Sequence, residues 1–134
     1  MKIDHIGIAC LDIQKAKGKY LELGYVVTKD LITDFGRNLD YIFMKMDSIT
    51  IELICKHDKS KESDIDNIIA QQKIIGNKMY HICYTSSNLE EDINRYKRLG
   101  YKLIKSPSVA VACDNKIVAF LIHLEMGIIE LIEE

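Results

Sequence analysis

Asp4-His5-Ile6-Gly7 and Ile51-Glu52-Leu53-Ile54, early and late in the first half of the chain, are echoed by Tyr80-His81-Ile82-Cys83 and Ile129-Glu130-Leu131-Ile132 in the second. At an offset of 76 residues, His5 falls on His81, Ile6 on Ile82, Tyr20 on Tyr96, and Leu23-Gly24-Tyr25 on Leu99-Gly100-Tyr101. From Gly24 to Glu52 is 28 residues and from Gly100 to Glu130 is 30, so two residues inserted late bring the second pair of strings into line. Self-similarity of this kind marks one supersecondary unit used twice. Each copy carries one histidine near its start and one glutamate near its end.

Local signals give each copy the order βαβββ. Residues 2–10 alternate as a strand, with Ile6 and Ile8 on one face and His5, Gly7 and Ala9 on the other. Asp12 is placed to cap a helix with Ile13, Ala16, Tyr20 and Leu23 on its apolar stripe, and Gly24 ends it. A strand from Tyr25 runs into the polar bend 33–38, and strands at 39–46 and 49–55 follow across a tight turn at Asp47-Ser48. In the second copy Asn88 takes the place of Asp12, and Leu89, Ile93, Tyr96 and Leu99 form the stripe that Gly100 closes. Strands are expected at 80–85, 101–105, 117–124 and 127–133, with a bent loop over 106–115 around Pro107, the single proline. The reading is one domain: module 1 at 1–57, module 2 at 78–134, and a polar connector at 58–77 holding a short helix capped by Ser63.

The period of two then sorts the strand residues. Ile51, Leu53, Ile82, Tyr84, Ile129 and Leu131 face the helices, so His5, Glu52, His81 and Glu130 share the opposite phase with the small residues Gly7, Ala9, Cys83 and Thr85. Taken singly, each of the four reads as an ordinary packed or solvated side chain; their matched placement in a repeat makes them a set. Two imidazoles and two carboxylates form a plausible shell for one divalent ion such as Ni, Zn, Co or Mn, and neutralise it. His57 and His123 have no matched partners and are expected at the surface.

Paired βαβββ modules carrying His5, Glu52, His81 and Glu130 resemble the vicinal-oxygen-chelate superfamily, which includes glyoxalase I, methylmalonyl-CoA epimerase, extradiol dioxygenases and bleomycin-binding proteins. The resemblance runs over the whole chain and is most specific at 4–9, 51–53, 80–82 and 127–131. It implies an α+β fold of two tandem βαβββ modules curling around a shared metal-binding pocket. It also implies an enzyme that removes a proton next to a carbonyl, with Glu130 as the base and Glu52 as second choice. A carboxylate at position 52 fits both glyoxalase I and methylmalonyl-CoA epimerase, and the reading taken is a glyoxalase I-like lyase or isomerase of the lactoylglutathione lyase type, acting on a thiol hemithioacetal. The alternatives are a methylmalonyl-CoA epimerase, acting on an acyl-CoA, and a non-catalytic small-molecule binder. The bend after the second strand offers Asp34 where epimerases carry a second catalytic glutamate. The stretch 18–24 lacks the Phe-Tyr of glutathione-dependent glyoxalases. A site completed within one chain is expected, together with a homodimer.

Bulk composition sets the remaining bounds. The 134 residues are 48% apolar and 28% charged, in the range of a globular domain with a real core. A net charge of -2 offers no basic field for nucleic acid. With no leader-like start and no long apolar run, a cytoplasmic protein without membrane contact is expected. Cys10, Cys55, Cys83 and Cys113 are scattered without a CxxC, as reduced thiols filling the core.

Overall fold

The two inserted residues lie in two different turns, one in each. The structure is a computed structural model that describes the backbone of residues 1–134 and all side chains except those of residues 71–75. It contains β1 (Ile3–Ala9), α1 (Ile13–Leu23), β2 (Val26–Asp34), β3 (Leu39–Met46), β4 (Ile49–Lys56), α2 (Asp66–Ile75), β5 (Lys78–Ser86), α3 (Leu89–Arg98), β6 (Lys102–Ala110), a single 3-10 turn at Val111–Cys113, β7 (Lys116–His123) and β8 (Gly127–Glu133). Paired Asp34 and Leu39 are separated by four residues, whereas their equivalents Ala110 and Lys116 are separated by five. Met46 and Ile49 are separated by two residues, and His123 and Gly127 by three.

The fold is α+β, built from two compact units: residues 6–80, and residues 81–134 joined by residues 1–5. In the unit formed by 6–80 the strands run in the order β2-β3-β4-β1, with β1 and β4 parallel and the other pairs antiparallel. The other unit repeats this as β5-β8-β7-β6, with β5 and β8 parallel. The opening of β1 belongs here, where the Thr85 N–H donates to the Lys2 carbonyl at 2.8 Å. The register repeats along with the strand order. Gly7 stands opposite Glu52 and Phe43 opposite Glu52, as Cys83 stands opposite Glu130 and Phe120 opposite Glu130.

Each unit packs one helix on one sheet face. Ile13 and Ala16 of α1 meet Ile42, Met44, Ile51 and Leu53, with Ile8 and Tyr20 packed alongside. Ile93 of α3 meets Ala119, Leu121, Ile129 and Leu131, with Tyr84, Leu89 and Tyr96 alongside. The expected helix-facing phase of the strands is thus the observed one, and it leaves residues 5, 52, 81 and 130 on the other phase. Both caps form: Asp12 Oδ1 accepts from Lys15 N at 3.0 Å, and Asn88 Oδ1 from Glu91 N at 3.2 Å. Gly24 and Gly100 follow with φ of 103° and 97°, a left-handed conformation that a Cβ disfavours.

Three expectations are corrected. Leu23 and Leu99, placed on the helical stripes, are exposed: Leu23 is the last residue of α1 and Leu99 the cap that follows α3. The loop expected at 106–115 begins later: β6 continues through Pro107 to Ala110. The register slips between Lys105 and Ser108, and β6 is the last strand in its order, so the missing N–H of Pro107 costs no ladder bond. The exposed polar segment 59–62 and Asp58 before it are tied to the bend that precedes β3. Buried Asn38, at φ 58°, donates through its amide to the carbonyls of Asp58, Lys61 and Glu62 and accepts from Asp58 N at 2.8 Å.

Candidate metal centre

Three of the four expected ligands converge within the unit made of residues 1–5 and 81–134. His5 comes from the start of β1, His81 from β5 and Glu130 from β8, and relative exposures of 0%, 2% and 3% put all three out of water. His5 Nε2 lies 3.2 Å from His81 Nε2 and 3.2 Å from Glu130 Oε2, while His81 Nε2 lies 2.9 Å from the same oxygen. The imidazoles meet edge to face, their centroids 5.4 Å apart, and Phe120 stacks edge to face on His81, also at 5.4 Å. Phe120 is the β7 neighbour of Glu130, so the ladder that sets the glutamate also sets the ring holding His81.

Electrostatics keep Glu130 ionised. Burial by itself would raise its pKa, but the two adjacent imidazoles, His81 foremost, outweigh it and hold the carboxyl well below its usual range. A buried carboxylate between two imidazoles is costly unless protons or a cation balance it.

The donor set fits a divalent ion. Two ligand atoms each about 2.1 Å from one ion and at right angles to one another are about 3.0 Å apart. The three observed separations of 2.9–3.2 Å match that spacing. Two imidazole nitrogens and one carboxylate oxygen also suit the borderline metals. Among the described residues His5, His81 and Glu130 form a group whose ligand atoms could hold one ion. Glu52 is buried in the unit of residues 6–80, between Phe43 and Gly7, at the register position that Glu130 holds in its own unit. Asp34 is buried at the end of β2 and engaged in its own turn, accepting from Arg37 N at 3.0 Å and lying 3.4 Å from Arg37 Nε.

One contact had no counterpart in the sequence reading. Asp4 Oδ2 lies 2.8 Å from His5 Nδ1, the ring nitrogen on the far side from Glu130. The hydrogen bond with His5 leads the effects that hold the Asp4 carboxyl below its usual range. Adjacent strand residues point to opposite faces, so a period of two sends Asp4 away from His5; the contact exists because Nδ1 is close to the backbone. Asp4, His5 and Cys83 form a second group of mutually close ligand atoms. His57, expected at the surface, is exposed and paired with Asp40 at 3.0 Å.

The profile of the glyoxalase/bleomycin resistance protein/dioxygenase superfamily matches residues 4–120. The chain belongs to that superfamily. Solved structures agree on the fold. A hypothetical protein from Bacillus halodurans C-125 is 25% identical, with a TM-score of 0.80 over 99% of this chain and 94% of that one. Methylmalonyl-CoA epimerase from Mycobacterium tuberculosis is 22% identical, with a TM-score of 0.77 over 98% and 87%. A Streptomyces coelicolor methylmalonyl-CoA epimerase variant in complex with 2-nitronate-propionyl-CoA is 19% identical, with a TM-score of 0.80 over 100% and 97%. No curated protein matches the sequence. No helix among the described residues is long and apolar enough to cross a membrane.

Proposed function

We propose that the protein is a metal-dependent lyase or isomerase of the glyoxalase I type, which moves a proton on a carbon next to a carbonyl. The observation that carries this reading is the triangle of His5 Nε2, His81 Nε2 and Glu130 Oε2. These three residues would hold one divalent ion, with Glu52 as the proposed fourth ligand because it is the register equivalent of Glu130. When bound, the ion would supply Lewis acidity, drawing electron density from the substrate's oxygens and lowering the acidity barrier at the neighbouring carbon.

The chain's own groups would do the proton work. Glu130 is ionised across the neutral range, the form that a base requires, and is placed first for that role; Glu52 is placed second. Phe120 and the strand ladder fix the direction of His81 and Glu130, so little reorganisation is needed during proton transfer. Burial of all three side chains keeps bulk water from the proton being moved.

A thiol hemithioacetal is the substrate class of this reading. Methylmalonyl-CoA epimerisation uses the same proton abstraction and is the second reading, supported by the match of such epimerases to nearly the full chain. The experiment loads the protein with Ni, Zn, Co or Mn and follows solvent deuterium entering a hemithioacetal or methylmalonyl-CoA. Exchange into the first supports the glyoxalase reading, and exchange into the second alone moves the assignment to the epimerase. No exchange into either, with any metal, leaves a small-molecule binder. Glu130→Gln is expected to lower exchange by roughly 10²–10⁴-fold.

A further inference from the structure

We infer that Asp4 is a positioning residue for the metal centre: it holds the single proton of neutral His5 on Nδ1 and so keeps Nε2 bare for a cation. The inference rests on the reading of His5, His81 and Glu130 as ligands, and it concerns a competition visible in the distances. A neutral imidazole carries one N–H, and which nitrogen bears it is set by the partner of the other. Carboxylates lie near both ring nitrogens of His5. Asp4 Oδ2 is 2.8 Å from Nδ1, and Glu130 Oε2 is 3.2 Å from Nε2.

If Glu130 captured the proton, the N–H would lie on Nε2 and block the ligand atom. The shorter contact to Asp4 favours the opposite tautomer, with the proton on Nδ1. A carboxylate on the far nitrogen also raises the basicity of the ligating one.

Burial divides the roles. The His5 side chain is 0% exposed and that of Asp4 43% exposed, so Asp4 can be replaced without opening the core. Asp4→Ala removes the acceptor. Asp4→Asn keeps a neutral acceptor oxygen and is expected to fall between it and the wild type.

The test has two readouts. Nitrogen-15 NMR of the metal-free protein, at a pH where His5 is neutral, reports which ring nitrogen carries its proton. Competition with a chromophoric chelator reports zinc affinity. The expected results are an Nδ1–H tautomer in the wild type, transfer of that proton to Nε2 in Asp4→Ala, and zinc binding weakened about 10–100-fold in that variant. An Nδ1–H tautomer unchanged in Asp4→Ala, an Nε2–H tautomer already present in the wild type, or equal zinc affinity of the two proteins would overturn the inference. Absence of zinc binding by the wild type would instead remove the metal reading, and the tautomer measurement would still decide what Asp4 does to His5. Circular dichroism of both variants checks that they remain folded.

Discussion

The two βαβββ units share strand order, register, helix caps and the phase of their core, yet three ligand atoms meet in the unit of residues 81–134 and the opening five. In that unit His81 and Glu130 are joined by His5, which the repeat assigns to the first copy but which clusters with the second. The unit of residues 6–80 keeps Glu52, in the matching ladder position between Phe43 and Gly7. Duplication therefore supplies the framework, and the placement of residues 1–5 brings His5 to His81 and Glu130.

The largest effect expected from breaking this equivalence is in the cores. Leu53 and Leu131 hold matched positions on β4 and β8, and both are fully buried. Replacing either with Ala should cost about 2–5 kcal/mol by urea denaturation, from lost burial and the cavity left behind. Similar losses at the two sites would sharpen the comparison; a loss under about 1 kcal/mol at either would show that its core has collapsed to fill the space.

A smaller effect concerns pH and the core of the unit of residues 6–80. Burial pushes the Cys10 thiol up to about 12 and Cys55 up to about 11, both in the core under α1. An unfolded chain loses these thiol protons from about pH 9, while the folded protein retains them. Between those limits the unfolded state binds fewer protons, so stability should fall as pH rises from about 9 towards 12. Cys10→Ala should flatten that alkaline slope relative to the wild type. Parallel slopes for the two proteins would show that the thiol is not protected as its burial implies.

The smallest effect concerns the caps. Asp12→Ala and Asn88→Ala each remove one side-chain acceptor from a helix N-terminus and should cost about 1 kcal/mol apiece. α3 also carries Glu90, Glu91 and Asp92 in its first turn and Arg95, Lys97 and Arg98 in its last, whereas α1 has neither set. Complementary charges support α3 against fraying, so Asp12→Ala should lower the melting temperature more than Asn88→Ala. The reverse order would remove the distinction between the helices.

Much of this was legible in the sequence because it depends on short-range periodicity. Alternation along β1, β4, β5 and β8 was enough to separate Ile51, Leu53, Ile129 and Leu131 from residues 5, 52, 81 and 130, and the helix caps follow from residue type alone. What escaped depends on chain path. Pro107 reads as a loop until β6 is known to be the last strand of its order, where a missing N–H is tolerated. Asn38 reads as one polar residue in a bend until its left-handed backbone aims its amide at three carbonyls of 58–62. Asp4 was hidden by the same alternation that revealed His5. The assignment of the opening of β1 to the unit of residues 81–134 follows from no local signal.

Metal content tests the central claim most directly. After loading with zinc or nickel and removal of excess ion, elemental analysis of the wild type should give about one ion per chain, as expected for a single closed donor set. His5→Ala combined with His81→Ala should leave less than a tenth of that amount, with the circular dichroism spectrum retained. Metal content unchanged in this double variant would contradict the account, because it would place the ion away from the triangle of His5, His81 and Glu130.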